Sequence, residues 1–528
     1  MKIILHASGG EAGEERSLSA AAGAPLARTL WLSGHLPVRA MCAGLGRCGR
    51  CRVRYLTSGA CPPPLPEETE ILGAAAVTDG WRLACRRQVP DVDVLPLEVP
   101  ALLTAARPAG PAAPAGQGGE AVALGVDLGT TSVYYRAERL SDGSPLAEGH
   151  FLNPQAGAGA DVMSRLAAAS RPDTAPRLAA LAREAVERCL SETAAAGGRT
   201  ETLCVAGNPA MTDIFLGRSV AGLCAAPYRL SHGGHETARL PGLPPVYIPP
   251  LMAPFVGGDI AAGLAALVAA DTPRPLVLAD LGTNGELALL DAADRLFIVS
   301  VPLGPALEGI GPECGCQAGP ESVTDFRLGP QGLVPVSSLA AGPVAPCEGI
   351  SATGYLALLS LLRQTGVMDA DGHFQPGGAV MPLARRLAEQ LDMRQGRPCL
   401  RLPHGLWLSA QDVEELLKVK AAFSLALHSL LEAAGLTPSA LACLCLAGAL
   451  GEHVPAGHLE MLGFVPQGMG QRIRAVGNAS LRGAVLLARQ AQRREALARL
   501  CARAQLLPLA EAPDFHQKYL RHMRFGAV

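Results

Sequence analysis

The 528-residue chain is poor in charge: only 17% of its residues are Asp, Glu, Lys or Arg, and the formal net charge is −2. With no excess of either sign, no long-range field singles out nucleic acid or a membrane surface as a partner. Long hydrophobic runs are also missing. The longest candidate, Ile260 to Ala270, falls short of the roughly 18 residues a membrane span needs and predicts a buried helix. At the start, MKIILHASGGEAGEERSL has too short an apolar run for a secretory signal and turns acidic at once. These absences predict a cytoplasmic chain, in which fifteen cysteines are thiols or metal ligands rather than disulfides.

What is present is 49% hydrophobic residues, with abundant Gly and Ala, over a length that requires several domains. Residues 1–99 read as a small mixed domain. KIILHA and RSLSA are short strands, and APLARTLWLSGHL has helical periodicity. A Gly- and Cys-rich loop follows, then VRYLTSG as a strand, PEETEIL as a short helix and DVDVLPLEV as a closing strand, a β-grasp-like order. Residues 100–120 have the Pro/Ala/Gly composition of a semi-stiff linker. From Ala121 onward, apolar strands alternate with Ala/Leu-rich helices such as Arg177 to Thr193, which predicts α/β structure.

Five of the cysteines lie between Cys42 and Cys85. The spacing Cys42-x5-Cys48-x2-Cys51, with Cys85 after 33 further residues, suits a 2Fe–2S cluster held by one tight loop and a distant strand. The first gap is one residue longer than in the plant-type pattern. Gly44, Gly46 and Gly49 give the loop the freedom to curl and to aim N–H groups at sulfur. A structural zinc site is the alternative, although Cys85 lacks the second nearby cysteine that zinc sites usually use. Cys61, before three prolines, reads as a loop thiol.

Two later segments repeat one another: VALGVDLGTTSVYY (122–135) and LVLADLGTNGELAL (276–289). Each is a strand, an Asp-Leu-Gly-Thr turn and a second strand. Such a turn offers amides and hydroxyls to phosphate oxygens, and its Asp can hold a magnesium-bound water. Two copies, 153 residues apart, suggest a duplicated fold clamping phosphates; a duplicated scaffold without nucleotide is the alternative.

The paired turns resemble the acetate and sugar kinase/Hsp70/actin superfamily. Together with an N-terminal 2Fe–2S domain and linker, the chain resembles the reductive activators of corrinoid proteins. The resemblance extends through Asn153-Pro154-Gln155, Gly159-Ala160-Asp161-Val162, Gly207-Asn208-Pro209-Ala210-Met211 and Val256-Gly257-Gly258-Asp259. It continues through Gly304 to Gly309, Cys314-Gly315 with Ala318, Ala447 to Gly451, and Gly477 to Leu481. Departures stand at Gly349 to Gly354, which loses one glycine of an expected Gly-x-x-Gly-Ser-Gly turn, and at Gly448-Ala449.

The resemblance implies an α/β multidomain protein: a β-grasp 2Fe–2S ferredoxin-like domain (1–99), the linker (100–120), then duplicated RNase H-like domains of actin/Hsp70 type at 121–250 and 251–528. It implies ATP-driven reduction of a corrinoid protein of a methyltransferase system from Co(II) to Co(I). Cys42, Cys48, Cys51 and Cys85 would hold the cluster, and Asp127 and Asp280 would organise Mg2+. Gly129, Thr130, Thr131, Gly282, Thr283 and Asn284 would touch phosphates, with Gly448 and Gly451 at the adenosine. Glu286 or Asp259 would position water or serve as structural carboxylates. A low-potential electron donor and a homodimer through the C-terminal domain are implied as well. Competing expectations are a small-molecule kinase of the same superfamily, an electron carrier or redox sensor with a vestigial nucleotide domain, and an activator of another low-potential enzyme. His232-x2-His235 reads as a loop, Cys314-x-Cys316 as inert thiols, and Cys443-x-Cys445 as part of a buried strand.

Overall fold

The computed structural model describes residues 1–7, 16–32, 46, 49, 51–99, 119–159, 161–282, 284–303, 305–308, 311–316, 318–319, 321–330, 332–337, 349–378, 382–394 and 396–526. Cys42, Cys48, Thr283 and the 100–118 part of the linker lie outside them. The chain divides into two compact units. One comprises Met1–Leu203, Ala210–Ser231 and Ala238–Val246; the other comprises Cys204–Pro209, His232–Thr237 and Tyr247–Val528.

The first unit opens with a five-stranded mixed sheet in the order Arg16–Ser19, Lys2–Ala7, Val94–Val99, Arg52–Tyr55, Trp81–Leu83. Lys2–Ala7 runs antiparallel to Arg16–Ser19 and parallel to Val94–Val99, so the two ends of this module meet at its centre. Alternation decides the faces: Leu95, Leu97 and Val99 turn inward onto Ile3, Leu5, Val53, Leu83 and the helix residues Leu26 and Leu30. The expected short helix is Pro66–Leu72, and Trp81–Leu83 is a strand that periodicity missed, three residues being too few to alternate visibly. Glu68 is fully buried and closes the module. Its carboxylate accepts the Leu65 and Leu83 N–H groups and the Arg87 guanidinium.

A second sheet in this unit is built on the antiparallel meander Glu120–Leu128, Ser132–Arg139, Pro145–Leu152. The helix expected over 177–193 runs Ala175–Ala195 and buries Leu178, Leu181, Ala182, Ala185 and Cys189, a stripe at helical spacing.

The second unit repeats that meander as Leu276–Leu281, Asn284–Leu290 and Leu296–Pro302, now central in a six-stranded sheet. Cys443–Ala447 lies parallel to Leu276–Leu281 and is buried along its whole length, as its apolar run predicts. The sheet is covered on both faces. Val277, Ala279, Leu287, Leu289, Phe297 and Val299 share one core with the 25-residue helix Ala410–Ala434 and with Ala352–Thr365. Leu276, Leu278, Ala288, Leu290, Cys443 and Cys445 face helix Gly258–Ala269, the buried helix that the apolar run at Ile260 predicts. Gly483 lets helix Ala479–Arg489 cross it closely, since a Cβ there would lie 1.8 Å from the Ala262 carbonyl oxygen. No helix among the described residues is long and apolar enough to cross a membrane.

Candidate functional site

The first Asp-Leu-Gly-Thr turn joins Glu120–Leu128 to Ser132–Arg139, with Asp127 opposite Tyr134 and Leu128 opposite Val133. Gly129, Thr130 and Thr131 form the turn, and a Cβ on Gly129 would fall 2.7 Å from the Ser132 carbonyl oxygen. All three turn carbonyls are engaged by the protein. The Asn153 amide Nδ2 donates to the Gly129 oxygen at 2.7 Å, and the Asn153 backbone N–H donates to the Thr131 oxygen at 2.8 Å. Nη2 of Arg165 donates to the Thr130 oxygen at 2.9 Å.

Behind the turn the bracing continues. Arg165 is fully buried on helix Val162–Ala169, and its guanidinium also donates to Gln155 Oε1 and to the Gly159 carbonyl, both at 2.9 Å. Gln155 in turn donates to the Leu178 carbonyl at 2.7 Å and its N–H donates to Asn153 Oδ1 at 2.8 Å. Burial lowers the Arg165 pKa to about 9, and the charge of Asp161 opposes that shift. Arg165 therefore remains a cation at neutral pH. Asp161 caps its helix by accepting the Ser164 N–H at 2.9 Å. The order Asn-Pro-Gln then Gly-Ala-Asp is thus a support for the turn. Arg165 itself escaped sequence reasoning, although it is the lone charged residue in VMSRLAAA, a visible signal.

The second turn places Asp280 opposite Glu286 and Leu281 opposite Gly285, with the Gly282 N–H donating to the Asn284 carbonyl at 3.1 Å. Asp280 also sits level with Ala447 of the parallel strand. The next residue, Gly448, has φ +81°, and a Cβ on it would lie 3.2 Å from Asp280 Oδ1. The magnesium candidate and one adenosine candidate are therefore neighbours. Gly448 donates its N–H to the Gly477 carbonyl at 3.2 Å, and Asn478 caps the following helix through Leu481 at 2.8 Å. Gly451 faces inward instead, against Leu446, 2.7 Å from where its Cβ would stand.

Three carboxylates share this side of the sheet. Glu286 is buried, and its pKa is pushed well above the carboxylate range first by burial, then by the charges of Asp259 and Asp280. Asp259 opens helix Gly258–Ala269. The loop before it is packed on Gly207-Asn208-Pro209: a Cβ on Gly257 would meet the Gly207 oxygen at 2.7 Å, and the Gly258 N–H donates to that oxygen at 2.9 Å. Two motifs about fifty residues apart in sequence thus build one corner.

Gly349–Ile350 pairs with Ser322–Val323, and Ser351 caps the buried helix Ala352–Thr365 by accepting the Gly354 N–H at 3.3 Å. Cys314 is buried beside this strand and its thiol pKa is pushed up to about 11, mainly by burial, as an inert thiol requires. His232 and His235 lie in a loop: His235 Nδ1 is 3.0 Å from the Tyr247 hydroxyl and its Nε2 3.2 Å from Glu495 Oε1.

Of the cluster candidates, Cys51 and Cys85 are described. The Ala84 N–H donates to the Cys51 carbonyl at 3.0 Å, which brings Cys51 beside the residue preceding Cys85. Gly46 and Gly49 have φ +74° and +64°, and a Cβ on Gly46 would lie 3.0 Å from the Arg86 side chain. Cys51 and Cys85, soft thiol donors on two neighbouring chain segments, are of the donor type that an iron–sulfur or zinc centre uses.

Comparison with known proteins agrees with this architecture. The model for the C-terminal domain of RACo, the ASKHA domain, matches residues 274–527, and that for the RACo middle region matches residues 122–269. The chain thus carries a RACo middle region and a RACo C-terminal ASKHA domain. The corrinoid activation enzyme RamQ of Eubacterium limosum is 27% identical over 426 residues, covering 76% of this chain and 70% of that protein. A reductase of a Co(II) methylated amine-specific corrinoid protein from Methanosarcina barkeri is 25% identical over 360 residues, 62% of this chain and 63% of its own. In fold, the chain matches a reductive activator for a corrinoid, iron–sulfur protein with a TM-score of 0.65 at 20% identity, over 100% of this chain and 98% of that one. The protein is accordingly a mixed α/β multidomain chain with an actin/Hsp70-like C-terminal domain.

Proposed function

We propose that this chain is an ATP-coupled reductive activator that returns a corrinoid protein from Co(II) to Co(I). The observation that carries the reading is the match to the middle and C-terminal regions of RACo over about three quarters of the chain, alongside relatives named for corrinoid activation and corrinoid reduction. In this reading residues 1–99 are a ferredoxin-like domain. Cys42, Cys48, Cys51 and Cys85 hold a 2Fe–2S cluster, which when bound supplies one-electron transfer at a potential near about −400 mV. A low-potential donor outside the chain recharges it.

The remaining residues divide the work on nucleotide. Gly129 to Thr131, with their carbonyls engaged from behind by Asn153 and Arg165, present N–H and hydroxyl groups to phosphate. Gly282, Thr283 and Asn284 do the same in the second turn. Asp127 and Asp280 organise Mg2+, and Gly448, left without a side chain beside Asp280, leaves room for the nucleotide. Burial and the charges of Asp259 and Asp280 raise the Glu286 pKa, and a divalent cation beside Asp280 would lower it again, which links its proton to metal binding. Free energy enters by differential affinity: about 5.5 kcal/mol moves a 1:99 population of an electron-accepting complex to 99:1.

The test is anaerobic. The protein is reduced, mixed with a Co(II) corrinoid methyl carrier, and Co(I) absorbance is followed with and without Mg-ATP. Co(I) appearing only with Mg-ATP supports the reading. A reducible centre that yields no Co(I) with several carriers rejects it.

A further inference from the structure

The N-terminal sheet module meets the support of the first turn through Trp31, with Arg28 of the same helix bonding nearby. Trp31, near the end of helix Leu26–Leu32, is 4% exposed, and its ring Nε1 donates to the Pro154 carbonyl at 3.2 Å. Its ring lies flush on Gly157, where a Cβ would fall 1.7 Å from Cδ1. Three residues earlier, on the same helix face, Arg28 donates to Asp173 Oδ2 at 2.8 Å and to Thr174 Oγ1 at 2.6 Å. Pro154 follows Asn153 directly, and Asn153 holds the carbonyls of Gly129 and Thr131. The carbonyl of Gly159, two residues beyond Gly157, holds Arg165, which holds Thr130. Segment 153–159 is therefore gripped by Trp31 on one side and by the turn on the other. Cys42, the first cysteine of the chain, follows the end of the Trp31 helix by ten residues in sequence.

We propose that the seating of Trp31 on Gly157 is a latch coupled to nucleotide binding at Gly129–Thr131. The docked module stiffens segment 153–159 and with it the turn, which raises Mg-ATP affinity. By reciprocity, Mg-ATP holds the module docked. The latch thus ties the position of the redox module to nucleotide state, and it rests on the reading that this turn binds phosphate. Gly157 has no left-handed φ, so alanine is tolerated by the backbone, and the three atoms nearest its Cβ all belong to the Trp31 ring.

The experiment uses the full-length protein. With Trp81 and Trp407 changed to Phe, Trp31 is the only fluorophore among the chain's three tryptophans. Its emission is expected to be blue-shifted and poorly quenched by acrylamide, and Gly157→Ala is expected to red-shift it. By calorimetry, Gly157→Ala and Trp31→Ala should each weaken Mg-ATP binding at least fivefold. The double variant should be no weaker than Trp31→Ala, because the added methyl group then has no ring to meet. Should Gly157→Ala fail to fold, Trp31→Ala alone carries the affinity test. An exposed Trp31 in the parent overturns the docking, and unchanged Mg-ATP affinity in the variants overturns the coupling while leaving the nucleotide site intact. Additive losses in the double variant overturn the latch as well. Absence of Mg-ATP binding in every protein, the parent included, rejects the nucleotide reading and the coupling with it.

Discussion

Asn153 spans the mouth of the first turn: its side-chain amide donates to the Gly129 carbonyl at 2.7 Å while its own N–H donates to the Thr131 carbonyl at 2.8 Å. Both carbonyls are held by one residue, so the shape of the turn depends on one buried side chain. Asn153→Ala leaves the Gly129 oxygen and the Gln155 N–H without their partner, at a cost of about 1–3 kcal/mol for each buried group left unsatisfied. A fall in thermal midpoint is expected together with at least tenfold weaker Mg-ATP binding. Native midpoint and affinity in the purified variant would remove Asn153 from the support.

Arg165 tests the same support at Thr130. Its charge is buried and lies on carbonyl oxygens and the Gln155 amide, so removing the guanidinium strands three acceptors at once. Arg165→Met is expected to destabilise the protein, at about 1–3 kcal/mol for each buried acceptor left unsatisfied. Arg165→Lys keeps the charge but loses the fork that reaches Gln155 and Thr130 together. It should retain the fold better than Met and still lose Mg-ATP affinity. Denaturant melts and calorimetry of the two variants separate charge from geometry, and equal behaviour of Lys and wild type contradicts the assignment.

The parts that sequence made legible are those with a local signature. Alternation in Val94–Val99, the apolar run at Cys443–Ala447 and the repeated Asp-Leu-Gly-Thr turns each announce their element within a few residues. The seating of Trp31 on Gly157 and the reach of Arg165 to Thr130 join residues 126 and 35 positions apart, and no local period encodes such pairs. Trp81–Leu83 was missed because it is only three residues long. The meeting of Asp259 with Glu286 was likewise hidden, since it follows from how helix Gly258–Ala269 lies on the sheet.

Cys51 and Cys85 lead to a chemical prediction. Cys51→Ser or Cys85→Ser should abolish the charge-transfer absorbance of a cluster reconstituted under anaerobic conditions, whereas Cys61→Ser should keep it. A colourless wild-type protein carrying one zinc per chain would replace the iron–sulfur assignment with the zinc alternative.

Glu286 and Asp280 face each other across adjacent strands, like charges that cost energy when both are ionised. Burial and the charges of Asp259 and Asp280 raise the folded-state pKa of Glu286, so between the unfolded value and that raised value the native state binds more protons than the unfolded one. Stability then falls as pH rises through this window and is fully retained below the unfolded carboxylate pKa of about 4.3. Glu286→Gln removes the penalty. The variant should melt higher than wild type at pH 8, and the gap should close as pH falls toward about 4.3. Magnesium acts in the opposite sense, because a dication beside Asp280 favours ionised Glu286. Mg2+ should therefore raise the wild-type midpoint more at pH 8 than at pH 5, and raise that of Glu286→Gln less. A melting gap independent of pH would mean that Glu286 is ionised in the fold, and that its neighbours are held apart by something other than its proton.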